Sequence, residues 1–311
     1  VYDANMPTTI VIPTYNGTKL LTKHLGDVIG CMENGDELIV VDDASTDETV
    51  INLISSFNLH GGETTPEIPD LPKEYFPQLS KLKFQVYFGK FEKPHKKIRV
   101  VVVTNPVNFR FAGAVNVGVA LSTHNNIFLI NNDVSPAPDV IKVLSAHFED
   151  DRVFSVGCLE LQPLDNDLKA GKNRLWFEKG VFQHAKANDF DFGHTAWVSG
   201  GSGMFDRNKW LELGGLDQLF YPAYWEDIDL SVRAKKRGWQ VLFDPSAIVY
   251  HMHETTNNEV FGQKQIMKMS WQNGDRFAWR HANPIQKIQF LILKPYWWWQ
   301  RRKALKLNVA I

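Results

Sequence analysis

The sequence predicts an α/β fold: a mostly parallel central sheet covered by helices on both faces, an α/β/α sandwich followed by a helical C-terminal extension. Three observations predict it. In the first half of the 311 residues, short apolar runs alternate with helical patterns, the order that specifies parallel strands. Those runs are apolar at successive positions, so both of their faces need cover. Three of them end in polar clusters, at the edge where open parallel sheets bind ligands.

The elements follow in order. "TTIVIP" (8–13) is the first strand, and "ELIVVD" (37–42), "IRVVVVT" (98–104) and "NIFLIN" (126–131) continue the series. Helices are expected from near Asn16 or Gly17, from Ser45, where Ser45 and Glu48 have capping-box spacing, and through Ala112 to Leu121. Residues 60–97 interrupt the pattern with prolines and the basic, aromatic "KLKFQVYFGKFEKPHKK". They are too long for an ordinary connection and read as a surface insertion with a hairpin at 83–91. The second half brings a strand "VFSVGCLEL" (153–161), a long polar and aromatic loop, and "AWVSGGSGMF" (196–205). A helix is expected from Glu226 to Arg237, stopped by Gly238. Two short strands, "WQVLF" and "AIVYH", and then helical sequence complete the chain.

Composition narrows the partners. With 34 Lys and Arg against 35 Asp and Glu, no global field argues for nucleic acid or a strongly acidic substrate. Cys31 and Cys158 stand far apart in apolar or helical sequence, as small core residues of a reducing compartment do, so a cytoplasmic location is expected. The N-terminus has neither Met nor a signal-peptide pattern, which fits a trimmed chain or a piece of a longer one.

Chemistry concentrates in four stretches. "PTYNG", "DDASTDE" and "NNDVSP" follow strands one, two and four. In "PAYWEDIDLSVRAKKRGW", Glu226, Asp227 and Asp229 crowd the first turn of a helix, where its dipole favours carboxylates. Capping accounts for Asp229. It does not account for Tyr221, Tyr224 and Trp225 around the acids, a pairing of rings and carboxylates that suits a carbohydrate. "SGGSGMF" lacks the Lys and the strand-to-helix context of a phosphate loop.

Taken together, "IVIPTYNG", "LIVVDDASTDET", "NFRFAGAVNVGVA", "LINNDV" and "GGLDQLFYPAYWEDIDLSVRAKKRG" resemble family 2 glycosyltransferases of the GT-A fold, a Rossmann-like sandwich. The resemblance spans roughly residues 8–255 and is nearest to polysaccharide transferases, including rhamnosyl- and galactofuranosyl-transferring members. It implies inverting transfer of a sugar from a nucleoside diphosphate to a hydroxyl of a glycan or lipid-linked glycan. It also implies a catalytic domain at 1–255, with a nucleotide-binding half at about 1–135 that includes the insertion at 60–97. An acceptor-binding half follows at about 136–255, and 256–311 form the helical extension.

Residue by residue, Pro13, Thr14 and Tyr15 match the loop that lines the base, and Asp43 matches the reader of a pyrimidine ring. A carboxylate suits the imide N–H of uracil or thymine, so a UDP- or dTDP-sugar is expected. Arg110 stands where many relatives have Gly; some members carry an Arg there that touches the nucleotide. Asp133 falls on the last position of the Asp-X-Asp block, which ligates a divalent ion, while Asn131 and Asn132 replace acids and Asn132 is left to bond the donor. That shortage of ligands points to His251, with His253 a weaker alternative, and an imidazole ligand favours Mn2+ over Mg2+. Asp227 is the expected general base, with Glu226 orienting the acceptor or tuning the acid. Gly200, Gly201 and Trp225 fall beside the acceptor.

Two rival classes are weaker. A sugar-nucleotide nucleotidyltransferase brings a glycine-rich basic loop after strand one, which "PTYNGTKLL" is not. A non-catalytic glycan-binding module has no need of both a metal ligand and a base. The C-terminal "IQKIQFLILKPYWWWQRRKALKLN" is too short and too often interrupted by Lys to span a bilayer. Its Trp, Arg and Lys suit peripheral contact at a cytoplasmic membrane face, and equally a terminal helix packed on the domain or a link to another one.

Overall fold

The computed structural model describes residues 6–65, 83–162, 168–251 and 262–307. In chain order, the strands of the main sheet are β1 (Thr8–Thr14), β2 (Glu37–Asp42), β3 (His60–Thr65), β4 (Phe84–Lys93), β5 (Lys96–Thr104), β6 (Asn126–Ile130) and β7 (Val134–Pro136). They continue with β8 (Val153–Gln162), β9 (Leu168–Ala170), β12 (Gly193–His194), β13 (Ser202–Asp206) and β14 (Gln240–His251), while β10 (Asn173–Glu178) and β11 (Val181–Lys186) form a separate hairpin. Across the sheet the order is β12-β14-β8-β13-β6-β1-β2-β5-β4-β3, with β7 beside β14 and β9 beside β8. β1 runs parallel to β2 and β6, β2 to β5, and β8 to β14; antiparallel β13 lies between β6 and β8.

Successive side chains of a strand point to opposite faces, and here both faces are buried. Ile10, Leu38, Val40, Val102 and Phe128 pack under α1 (Thr18–Cys31), α2 (Thr49–Phe57) and α4 (Val140–Ser145). Val11, Ile39, Val41, Val101 and Leu129 pack under α3 (Arg110–Leu121), α5 (Arg207–Glu212) and α6 (Glu226–Lys236). Each such side chain contributes roughly 1.5 to 3 kcal/mol relative to exposure, which is why these runs occupy the sheet centre. Cys31 and Cys158 are both buried and unpaired, as expected.

Several local expectations need correction. No capping box starts α2 at Ser45: the helix begins at Thr49, and Ser45 Oγ accepts the N–H of Asn16 at 2.8 Å, tying the loop after β2 to the loop after β1. The hairpin is not confined to 83–91. β4 and β5 pair along their whole length around a turn at Pro94 and His95, and β3 pairs with β4, so the described part of the insertion widens the sheet; 66–82 lie outside the described residues. Alternation explains it, because Phe84 and Val86 are buried at period two. The long loop after β8 contains the β10–β11 hairpin. "WQVLF" and "AIVYH" belong to one strand, β14, whose pairing with β8 slips between Asp244 and Ile248. In "AWVSGGSGMF" only the end, from Ser202, is strand.

Helices α7 (Gln263–His281) and α8 (Pro284–Leu307) supply the expected C-terminal helical sequence, and no helix among the described residues is long and apolar enough to cross a membrane. α7 does more than extend the chain. Asp229 on α6 is fully buried and is not a cap; it accepts from Arg233 Nε at 2.7 Å and lies 2.7 Å from His281 Nε2 and 3.3 Å from Arg280 Nη1, both on α7. Burial works against its charge, but His281 and the two guanidinium groups prevail and hold its carboxyl below the usual range. Asn273 Nδ2 donates to the carbonyls of Phe220 and Ala223 at 2.7 and 2.8 Å, so α7 also grips the loop before α6. Asp229→Asn is expected to cost about 3 kcal/mol or more in denaturant unfolding, because buried cations lose their counter-charge. A loss below about 1 kcal/mol would deny Asp229 this role.

Candidate active site

The carboxyl ends of β1, β2 and β6, with the loops behind them, open into one cavity of about 440 Å³. Pro13, Thr14 and Tyr15 line it after β1, Asp43 after β2, Asn131, Asn132 and Asp133 after β6, and His251 at the end of β14. Arg110 enters from the start of α3, Gly200 and Gly201 from the loop before β13, and Glu226 and Asp227 from the first turn of α6. Of the residues expected at the site, Trp225 does not line the cavity, and of the rings expected around the acids Tyr221 does not either. Trp225 is buried, with the rings of His184 and Phe277 4.9 Å away, while its neighbour Tyr224 lines the cavity. The backbone explains this: Tyr224 and Trp225 have φ of 77° and 80°, and this left-handed pair reorients the chain as α6 begins. A Cβ on Gly274 of α7 would stand 3.0 Å from the Trp225 ring, so α7 is shaped to receive it.

Asp43 builds one side of the cavity. Its Oδ1 accepts from Asn105 Nδ2 and the N–H of Phe109, and its Oδ2 from the N–H of Arg110, each at 2.8 Å. Arg110 has φ 64°, uncommon for a residue with a Cβ, and these bonds hold it there. Burial raises the Asp43 carboxyl to about 6 against the pull of those hydrogen bonds. Across the opening, Asn132 Nδ2 donates to Thr14 Oγ1 at 2.9 Å and joins the ends of β6 and β1.

Asp133 Oδ1 and His251 Nε2 lie 3.3 Å apart. Two adjacent ligands, each about 2.1 Å from one cation in octahedral geometry, are separated by about 3.0 Å, so the pair fits a shared divalent ion. Among the described residues no group of three or more His, Cys, Asp or Glu is arranged to hold a metal, so two protein ligands leave most of a shell to other donors. His253 lies outside the described residues. Behind His251 stands Glu160 of β8, which the sequence reading missed: its Oε2 is 3.7 Å from His251 Nδ1, and its Oε1 accepts from Ser202 Oγ. An acid inside the buried strand run "VGCLEL" was the signal. Burial lowers the His251 imidazole, but Asp133 and Glu160 outweigh it and raise the group to about 10.

Glu226 and Asp227 have no such cation. Burial raises both carboxyls above their ordinary range, and the charge of Asp227 raises Glu226 further. The N–H groups of Ile228, at 2.8 Å, and of Gly200 favour the Asp227 anion. Among the described residues, Glu226 Oε2 is buried without a hydrogen-bond partner. Two adjacent carboxyls that differ in this way can divide acid and base roles. Gly200 and Gly201 leave room chiefly for protein: a Cβ there would meet the Phe111 ring at 3.0 Å and the Asn131 amide at 2.5 Å.

One family model, described as glycosyltransferase like family 2, matches residues 88–272, and another, described as glycosyl transferase family 2, matches residues 9–56. The O-antigen chain rhamnosyltransferase RfbN of Salmonella typhimurium is 25% identical over 260 residues, which cover 82% of this chain and 69% of that protein. The uncharacterized protein y4gI of Sinorhizobium fredii is 23% identical over 328 residues, covering 93% of this chain and 30% of that protein, so this chain spans less than a third of that relative. The mannosyltransferase PcManGT from Pyrobaculum calidifontis, solved with GDP-Man and Mn2+, superimposes with a TM-score of 0.57 at 17% identity, over 95% of this chain and 70% of that one. That likeness shows the fold, a GT-A-like mixed sheet with a mostly parallel core. With one family model alone matching more than half of its length, the chain belongs to glycosyltransferase family 2.

Proposed function

We propose that the protein is a metal-dependent inverting glycosyltransferase that moves a sugar from a UDP- or dTDP-sugar to a hydroxyl of a glycan or lipid-linked glycan. The observation that carries this reading is one cavity lined by both the Asp133–His251 pair and the buried acids Glu226 and Asp227. A binding module has no use for that combination. The donor base sits against Pro13, Thr14 and Tyr15. Asp43 Oδ2 accepts one protein hydrogen bond and keeps capacity for a pyrimidine imide N–H. Arg110 adds positive charge beside the diphosphate. Asp133 and His251 would hold a divalent cation, Mn2+ favoured by the imidazole, which would supply charge neutralisation for the leaving diphosphate.

On the acceptor side, Asp227 takes the proton of the attacking hydroxyl, while Glu226 keeps its own proton and orients the acceptor. The acceptor oxygen bonds to the anomeric carbon as the bond to the diphosphate oxygen breaks, and the electron pair leaves with the diphosphate. Attack opposite the leaving group inverts the anomeric centre. Residues to about 135 carry the donor in this reading, and those to about 255 the acceptor, braced from below by α7. The rhamnosyltransferase among the relatives supports a polysaccharide acceptor.

Asp227→Asn is expected to lower turnover by roughly 10² to 10⁴ while donor binding is kept; transfer at the wild-type rate would remove Asp227 as the base. In a thermal-shift screen of nucleoside diphosphates, UDP or dTDP with Mn2+ is expected to stabilise the protein, by about 2.7 kcal/mol at a hundred times the dissociation constant. Asp133→Asn and His251→Ala should each abolish the metal-dependent part, and no response to any nucleotide would sink the reading. Because burial raises the Glu226 and Asp227 carboxyls, the folded state holds protons that the unfolded chain releases, and stability falls as pH rises from the ordinary carboxyl range. Glu226→Gln should therefore raise Tm increasingly from acid to alkaline pH; a pH-independent effect would contradict the unpaired burial of this acid.

A further inference from the structure

The two faces of α8 differ. Inward, Phe290 packs with Val181 and Ala278, Trp297 Nε1 donates to the Lys179 carbonyl at 2.7 Å, and Arg301 pairs with Asp275 of α7 at 2.6 Å. Outward, Ile285, Ile288, Ile292, Tyr296 and Trp299 recur at intervals of three or four residues and so form one stripe. They are 69, 58, 70, 41 and 55% exposed, so nothing among the described residues covers them. The same side continues into Arg302, Lys303 and Lys306. Residues 284–307 hold six Lys and Arg and no Asp or Glu, although the whole chain has a net charge of only −1. Arg302 stands 4.1 Å over the Trp298 ring and Lys303 5.6 Å over the Trp299 ring, which places cations and indoles at one level.

We infer that the outward face of α8 docks on an anionic lipid bilayer, with the helix lying in the plane of the interface. An apolar stripe of Ile buries into the boundary between headgroups and acyl chains, Trp and Tyr prefer headgroup level, and Lys and Arg are drawn to anionic headgroups. The helix lies on the bilayer and does not cross it, since no described helix is long and apolar enough to do so. Charge argues against a second copy as the occupant: two α8 stripes face to face would set Arg302, Lys303 and Lys306 against their equals with no acid on either helix to pair them. This inference stands apart from the transfer reaction, because it concerns a face that does not line the cavity.

The test is flotation of the full chain, without nucleotide, on vesicles of phosphatidylcholine alone and mixed with phosphatidylglycerol. The wild-type protein is expected to float with the mixed vesicles, and added salt should weaken this. Ile288→Asp with Ile292→Asp should lower recovery by at least about tenfold, and Arg302→Glu with Lys303→Glu should remove the preference for phosphatidylglycerol. All four side chains are exposed, so circular dichroism and Tm should match wild type and exclude unfolding as the cause. Failure of the wild-type protein to float, or equal recovery of the Asp variant, overturns the inference. So does a dimer in sedimentation that the Asp variant disperses without any change in vesicle recovery.

Discussion

A carboxylate removed from water needs a partner, and this site is organised by which of its carboxylates receive one. Asp229 receives two guanidinium groups and a histidine and becomes a structural anchor. Asp43 receives an amide and two backbone N–H groups, which convert it into the frame that holds Arg110. Asp133 receives His251, itself backed by Glu160. Glu226 and Asp227 receive little beyond backbone N–H groups and each other's company. One helical turn thus contains an acid whose proton affinity is lowered and two whose affinity is raised, three residues apart at most. The stabilised acid fixes the helix, and the two raised acids line the cavity.

The same helix entry carries backbone strain. Residues with side chains seldom adopt positive φ, yet Arg110, Tyr224 and Trp225 all do, beside or within the cavity. Each is over-determined by packing or hydrogen bonds from outside its own segment: Arg110 by Asp43, and the Tyr224–Trp225 turn by Asn273 and the close approach of Gly274 on α7. Rigidity at the acids therefore depends on a helix that follows the α/β sheet in the chain. The C-terminal pair divides its work, α7 holding the loop and helix that carry the acids and α8 turning an apolar, basic face outward.

What the sequence by itself determined is the sheet and its ligand edge. "IVIP", "LIVVD" and "IFLIN" are apolar at consecutive positions, a pattern satisfied only in a strand covered on both faces, and the polar residues that end them mark the carboxyl edge whatever the details of packing. The resemblance to family 2 glycosyltransferases then pointed to Asp43, Asp133, Asp227 and His251, which share one cavity. Tertiary structure alone decided the rest, because each remaining feature depends on a partner far away in the chain. β4 became part of the sheet only because β5 offered a full ladder, and Ser45 left its helix for a bond to Asn16. Trp225 turned inward because Gly274 left room for its ring, and Glu160 acquired a purpose when β14 brought His251 beside it. Asp229 read as a cap until Arg280 and His281, some fifty residues on, closed around it. Spacing along a chain reports the period of an element; it does not report which charges will meet once water is excluded.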